Sequence, residues 1–476
     1  MKKQNIISGI HQYRREVDIN FHMPGHKGKN EPLGEIGKNL SFYDLTETIG
    51  TDDLHYPTGF LKDAMTYISK VYGSKKSYLV VNGTSCGIIS SILACTKPGD
   101  KILVQRDCHK SVYNASILGD LELQYIYPEF NKKHGLNLSI STDKLDQVLS
   151  SDPDIKMVVL TYPTFYGICF DVKKAAEIVH KHGKILLIDE AHGSHLQFCK
   201  DLLPLPGENS GADIVAQSTH KTLPCLTQGS VLHVCTERVN LNRIETMLRM
   251  LQTTSPSYVL MASIENAIHW MEEWGKERLK KNIEVFNERT LELRNMGINV
   301  LEQNFLKGEG VFDFDATRAV FSMSELGITG TRLQEVLRYE YRIQMEFADL
   351  QYIVGYITAT DEPEDIHRLF DAVREIYIKE SKTKEKRDTI QIEPFPFVKQ
   401  EAKMKQVFYA ENTIIDIDES IGKIAAEFII PYPPGIPLIC PGELIDKNTA
   451  EYIKIMLKNG INVNGVYNNN LVRVVK

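Results

Sequence analysis

The chain carries no excess of basic residues. Its 55 lysines and arginines stand against 62 aspartates and glutamates, a net charge of −7, so bulk charge advertises no nucleic-acid footprint. No apolar run reaches membrane-spanning length; the stretch EFIIPYPPGIPLIC (427–440) is broken by four prolines and carries a glutamate. The first lysines are not followed by an apolar segment, so MKKQNIISGIHQYRREV is not read as a secretory signal. The eight cysteines (86, 95, 108, 169, 199, 225, 235 and 440) include no C-x-x-C pair and read as reduced, mostly core thiols. No internal repeat is visible. These absences predict a cytoplasmic protein without a nucleic-acid or membrane partner.

What is present is an alternation. A length of 476 residues calls for more than one core. Residues 1–60 are rich in Gly, Pro, His and Asp with little periodicity, the composition of loops with a specific task. From about residue 70, short apolar runs follow one another: SYLVV, KILVQ, LQYIYP, KMVVLTYP, KILLIDEA, DIVAQSTHK and SVLHVC. Amphipathic stretches such as DVKKAAEIVHKHG lie between several of them. Strands alternating with helices predict a largely parallel α/β sheet. Residues 245–295 read as mostly helical. A smaller α+β unit follows, closing in a helix that begins near Asp361 and Pro363 and lines up Ile366, Leu369, Phe370, Val373, Ile376 and Tyr377. The run KESKTKEKRD (379–388) reads as a solvated helix end and linker. The expected units are 1–60, loop-rich and near the active site or a dimer interface; 61–295, the large α/β domain; 296–385, the small α+β domain; and 386–476, a C-terminal α+β domain.

Four motifs compete for the chemistry. The letters DEAH at 189–192 invite a helicase reading, but that motif needs a phosphate-cradling G-x-x-x-x-G-K-[ST], and no GK dipeptide here is followed by Ser or Thr. The pairs His22/His26 and His192/His195, with Asp52 or Asp189, could offer zinc ligands, yet they match no metalloprotease pattern; no metal is expected. VVNGTSCGIISSILA (80–94) reads as a strand, a Gly- and hydroxyl-rich loop and a helix start. There Thr84, Ser85 and free amides suit a phosphate, or else cap an ordinary helix. Asp189 ends a strand, where open α/β sheets bind ligands, and Lys221 follows the next strand within STHK. A phosphate loop, a sheet-end acid and a sheet-end lysine are the parts that a pyridoxal 5′-phosphate site requires.

With those residues in view, the chain resembles the short form of the bacterial ornithine/lysine/arginine decarboxylases, enzymes of the aspartate-aminotransferase-like fold type I. The resemblance runs through FHMPGHKG, DLTETIGTDDLHYPTG, NGTSCG, RDCHKSVYNA, TYPTFYGICFD, IDEAHGSH, STHKTLPCLTQGSVLH and PYPPGIPLICPGE. It implies a pyridoxal-phosphate Schiff base at Lys221, Asp189 against the pyridine nitrogen and His109 stacked on the ring. It also implies Thr84, Ser85 and Ser218 at the phosphate, Ala191 and His192 near the opposite ring face, and His220 as a proton donor beside the lysine. Two segments depart from the pattern, Gly422-Lys423 and DATRAVF (315–321); neither falls among the cofactor motifs.

The implied reaction is decarboxylation of arginine, lysine or ornithine. The substrate's side-chain cation would need a carboxylate partner, for which Asp52, Asp53 and Glu427 are the candidates. The implied assembly is a homodimer or larger homo-oligomer with the site at the interface and residues 20–60 reaching toward a partner. The rival readings are an aminotransferase or carbon–sulfur lyase of the same fold and, from another class, a metal-dependent hydrolase.

Overall fold

The computed structural model describes residues 5–302, 306, 311–382, 396–432 and 435–476. Eleven strands matter below: β1 (Ile19–Phe21), β2 (Lys76–Val80), β3 (Lys101–Gln105), β4 (Glu122–Ile126), β5 (Ile155–Thr161), β6 (Ile185–Asp189), β7 (Ile214–Gln217), β8 (Ser230–Val234), β9 (Arg318–Ser322), β10 (Ile343–Met345) and β11 (Tyr352–Tyr356). The seven apolar runs of the large unit are the seven strands β2 to β8. They form one sheet in the order β2-β8-β7-β6-β5-β3-β4. β8 runs antiparallel to both of its neighbours, and the other pairings are parallel. Continuous rather than alternating hydrophobicity is what a sheet covered on both faces demands. β5 to β8 are accordingly buried almost throughout.

Three helices place the site: α1 (Phe60–Tyr72), α2 (Gly83–Cys95) and α3 (Lys110–Gly119). α2 starts at Gly83, whose φ of 73° is a left-handed value that a side chain would strain. The expected helical region contains Leu241–Leu251, Tyr258–Trp270 and Lys276–Asn295. A second, four-stranded antiparallel sheet holds β9 and β11, and the helix Pro363–Ser381 buries the predicted Ile366, Leu369, Phe370, Val373 and Ile376 against it; Tyr377 is only partly buried. The remaining unit carries a three-stranded sheet and the helix Lys447–Lys458 with its own apolar core. The expected boundary at 385/386 and most of the charged linker lie outside the described residues, as do Pro433 and Pro434 of the YPPGIP segment.

The N-terminal segment is more ordered than its composition predicts. Asn5 and Ser8 exchange hydrogen bonds in a capping box that opens a helix over Ile6–Glu16. β1 then pairs in parallel with β10 in a two-stranded sheet of their own. This is a non-local partner that no local pattern reveals.

Candidate active site

β5, β6 and β7 are parallel neighbours in the sheet, so their C-terminal ends lie along one edge of it. Asp189 ends β6 opposite Ala216 of β7. Four residues beyond β7, Lys221 lies in the helical turn Thr219–Thr222. Its Nζ is 2.9 Å from His192 Nε2, and His192 Nδ1 is 3.0 Å from the Tyr356 hydroxyl at the end of β11. Burial lowers the Lys221 amine, with Asp189 and Glu346 opposing that effect and Arg318 adding to it.

Asp189 is the chemically conspicuous acid. It is buried, and the only hydrogen bond to its carboxylate among the described residues comes from the Ala191 N–H at 3.2 Å. Burial pushes its carboxyl up to about 6, against the pull of Lys221. A buried carboxylate this poorly satisfied calls for a cationic N–H donor. Glu190, the next residue, faces away: its carboxyl accepts from the Gly207 N–H at 2.7 Å and from Gln217 Nε2 at 2.7 Å. Burial and the neighbouring Glu208 push its carboxyl well above the usual carboxylate range.

Thr84 Oγ1 lies 2.5 Å from Ser218 Oγ and 2.9 Å from Ser230 Oγ. These three hydroxyls meet at the start of α2, where unpaired amides and the helix dipole favour an anion. Ser85 is exposed in the same first turn. Ser230, at the start of β8, was not among the sequence candidates. The buried Thr161 Oγ1, at the end of β5 beside Asp189, has no hydrogen-bond partner among the described residues.

His109 caps α3, its Nδ1 2.9 Å from Ser111 Oγ, and burial pushes it down to about 3, so its ring is neutral. His220 Nδ1 lies 2.9 Å from the Gly229 carbonyl. Burial lowers it to about 4. At pH 7 its single proton sits on the nitrogen that faces that carbonyl, which fits poorly with the expected proton-donor role. His192 and His195 turn to separate partners, His195 Nε2 meeting Asp315 at 3.2 Å and Thr317 at 3.1 Å.

One wall comes from the PGHKG loop. The Gly25 N–H donates to the His220 carbonyl at 2.8 Å, and the Gly25 carbonyl accepts from Thr360 Oγ1 at 2.6 Å. A Cβ on Gly25 would lie 2.3 Å from the Leu223 carbonyl oxygen. Buried Lys27 ties the loop to the small sheet, donating to the Tyr356 carbonyl at 2.9 Å, and the Met23 N–H donates to Glu346 Oε2 at 2.8 Å. Residues 19–29 are thus seated on their own chain's lysine loop.

The departing DATRAVF segment also touches the site. Arg318 Nη2 donates to the His192 carbonyl at 2.5 Å and pairs with Asp315 at 3.1 Å. Of the substrate candidates, Asp52 accepts four backbone N–H groups, from Asp53, Thr58, Gly59 and Leu61. That carboxylate organises the loop entering α1 and has no capacity left for a cation. Glu427 is engaged by Tyr467 at 2.6 Å and Arg473 at 3.1 Å. The Asp53 carboxylate accepts only the His55 N–H among the described residues, at 2.8 Å.

This is the fold of the type I pyridoxal-phosphate-dependent enzymes. The constitutive lysine decarboxylase of Escherichia coli superposes with a TM-score of 0.74 at 19% identity, over 99% of this chain and 81% of that one. The relationship is closer in sequence. The arginine decarboxylase of Bacillus subtilis is 32% identical over 480 residues, covering 99% of this chain and 97% of its own, and that of Bacillus anthracis is 32% identical over 485 residues, covering 99% and 97%. Residues 5–327 match the Orn/Lys/Arg decarboxylase major domain, and residues 383–466 match the C-terminal domain of the same family. The chain belongs to the Orn/Lys/Arg decarboxylase family.

Proposed function

We propose that Lys221 carries pyridoxal 5′-phosphate and that the chain decarboxylates a basic amino acid, arginine, lysine or ornithine, to the amine and carbon dioxide. The observation that carries this reading is the buried, under-bonded Asp189, one strand away from Lys221, with the Thr84–Ser218–Ser230 hydroxyls at the helix start. The bound cofactor supplies an electron sink for the pair left on the substrate's Cα when the carboxylate departs.

Every other role falls to the chain. Lys221 tethers the aldehyde and, once released, is the better placed of the two expected proton donors to return a proton to Cα. Asp189 keeps the ring nitrogen protonated. His109, a neutral flat ring, lies against one face, with Ala191 and His192 on the other. Thr84, Ser85, Ser218 and Ser230 hold the phosphate. Asp53 is the acid of the DDLH loop that stays available to the substrate's distal cation.

Arg318 supports decarboxylation over transamination. An aminotransferase clamps its substrate's α-carboxylate with an arginine, whereas this guanidinium is spent on Asp315, the His192 carbonyl and the Tyr356 ring at 4.4 Å. Six large apolar side chains stand exposed in one segment, Leu40, Phe42, Leu45, Ile49, Tyr56 and Phe60, which supports a homodimer covering this face. Among the described residues no helix is long and apolar enough to cross a membrane.

The test is an incubation of protein and cofactor with each of the three amino acids, measuring carbon dioxide and amine. One of them should yield both in equal amounts. Conversion only in the presence of a keto-acid acceptor would overturn the reading.

A further inference from the structure

We infer that Tyr356 is a positioning residue for the site lysine: through His192, its phenol holds the Lys221 amine uncharged and in place whenever that amine is not joined to an aldehyde. The inference rests on the reading that Lys221 carries the cofactor, and it adds to that reading a residue from the small sheet.

Hydrogens can be counted along three side chains in a row: Lys221 Nζ lies 2.9 Å from His192 Nε2, and the Tyr356 hydroxyl 3.0 Å from His192 Nδ1. Burial, with Lys221 and Arg318 nearby, holds His192 far below its ordinary value, so the ring has one proton for two nitrogens. Burial also keeps the phenol protonated. Two arrangements are then open. In one, a lysine ammonium donates to Nε2, and Nδ1–H donates to the phenol oxygen. The phenol hydrogen is then left without an acceptor, because the hydroxyl has no other hydrogen-bond partner among the described residues and Tyr356 is fully buried. In the other, the phenol donates to Nδ1 and Nε2–H donates to the lone pair of a neutral amine. Phenol and imidazole hydrogens both find acceptors. A buried donor without a partner is the costlier state, so the geometry favours the second arrangement, and that one requires an uncharged lysine.

The surroundings keep both rings from turning away. Arg318 stacks on the Tyr356 ring at 4.4 Å while donating to the His192 carbonyl. Phe165 meets His192 edge-on at 4.7 Å, and Lys27 Nζ holds the Tyr356 carbonyl at 2.9 Å. The charged and titratable groups facing Lys221 are Asp189 and Glu346, which favour the ammonium, Arg318, which opposes it, and the neutral His109, His192 and His220. Tyr356 itself faces Glu346, Arg318 and Asp315.

An uncharged amine matters because only its lone pair can attack an aldehyde. The nitrogen bonds to the aldehyde carbon, and the aldehyde oxygen leaves as water with both of the amine's hydrogens. The test uses the full-length protein stripped of cofactor. The rate of pyridoxal phosphate capture is followed by absorbance from pH 6 to 10, and borohydride reduction with peptide mapping identifies the modified lysine. Tyr356→Phe keeps the stacked ring and removes the hydrogen. We expect its rate profile to lie about one pH unit higher, making capture at pH 7 about tenfold slower. Superimposable profiles, with Lys221 labelled in both proteins, would overturn the inference alone. A wild-type protein unlabelled at Lys221 would overturn the reading beneath it as well. Should Tyr356→Phe not fold, nitrogen NMR of histidine-labelled wild-type apoprotein decides, with His192 assigned by its loss in His192→Gln. A proton on Nε2 is expected, and one on Nδ1 would overturn the inference.

Discussion

Arg106 and Glu443, 337 positions apart, close a buried ion pair of 2.9 Å across the contact between the catalytic sheet and the C-terminal unit. The same guanidinium donates to the Pro437 and Leu438 carbonyls at 2.7 and 2.9 Å, and Glu443 also accepts the Cys440 N–H at 2.7 Å. Arg106 stands three residues before His109, so the PLICPGE loop braces the turn that presents that histidine. Removing one partner strands a buried charge, which typically costs about 3–5 kcal/mol. Glu443→Ala should lower unfolding stability by that order, measured by urea denaturation of the full chain.

Asp52 gives a prediction that separates folding from binding. Burial raises its carboxyl, but four backbone donors outweigh that and hold it below the usual range. A carboxylate depressed in this way adds stability that is fully present above its unfolded value near pH 4 and is lost as pH falls through the folded value. Asp52→Asn should therefore cost about 2 kcal/mol or more at pH 7, with the difference shrinking toward pH 3, while KM stays unchanged. Asp53→Asn should do the opposite, raising KM several-fold with little loss of stability.

Asp189 is raised rather than depressed, and its sign reverses. With the folded carboxyl at about 6, its ionisation opposes folding of the cofactor-free chain once pH rises above its unfolded value near 4, and the full penalty is reached above pH 6. Asp189→Asn should stabilise the apoprotein at pH 7 by roughly 2–3 kcal/mol and match wild type below pH 4. The same change should cut kcat by about a hundredfold or more, since the ring nitrogen loses its charged partner. Thermal unfolding at two pH values and steady-state kinetics check both halves.

The PGHKG wall is tested at Gly25. A methyl group there meets backbone, not a movable side chain, at 2.3 Å from the Leu223 carbonyl oxygen. Gly25→Ala should force the loop off the Lys221 turn and reduce cofactor retention at least tenfold, measured by dialysis against buffer. Gly9→Ala, where nothing lies within 4 Å of the added carbon, is the control and should behave as wild type.

Much of this was legible in the chain because the signals are local. Seven apolar runs became seven strands, since strands covered on both faces must be apolar throughout. Asp189, Lys221 and Thr84 stand out as candidates because strand ends and a Gly-marked helix start announce themselves within a few residues. What stayed hidden depends on contacts between distant segments. Tyr356 and Arg318 reach His192 from the small sheet, and Glu346 faces the lysine from the loop after β10. Ser230 looks like an ordinary strand residue until β8 is placed beside β7. Asp52 misled for the converse reason: its type suits a substrate cation, but only coordinates show its oxygens already bonded. The helix over Ile6–Glu16 buries none of its residues and so carries no core-facing stripe to read.

The account turns on where the aldehyde attaches. The direct measurement is to incubate the protein with pyridoxal phosphate, reduce it with borohydride, digest it and map the modified peptide by mass. One modified lysine is expected, Lys221, in the peptide that carries Ser218 and His220. A modification at any other lysine, or none at saturating cofactor, would contradict it.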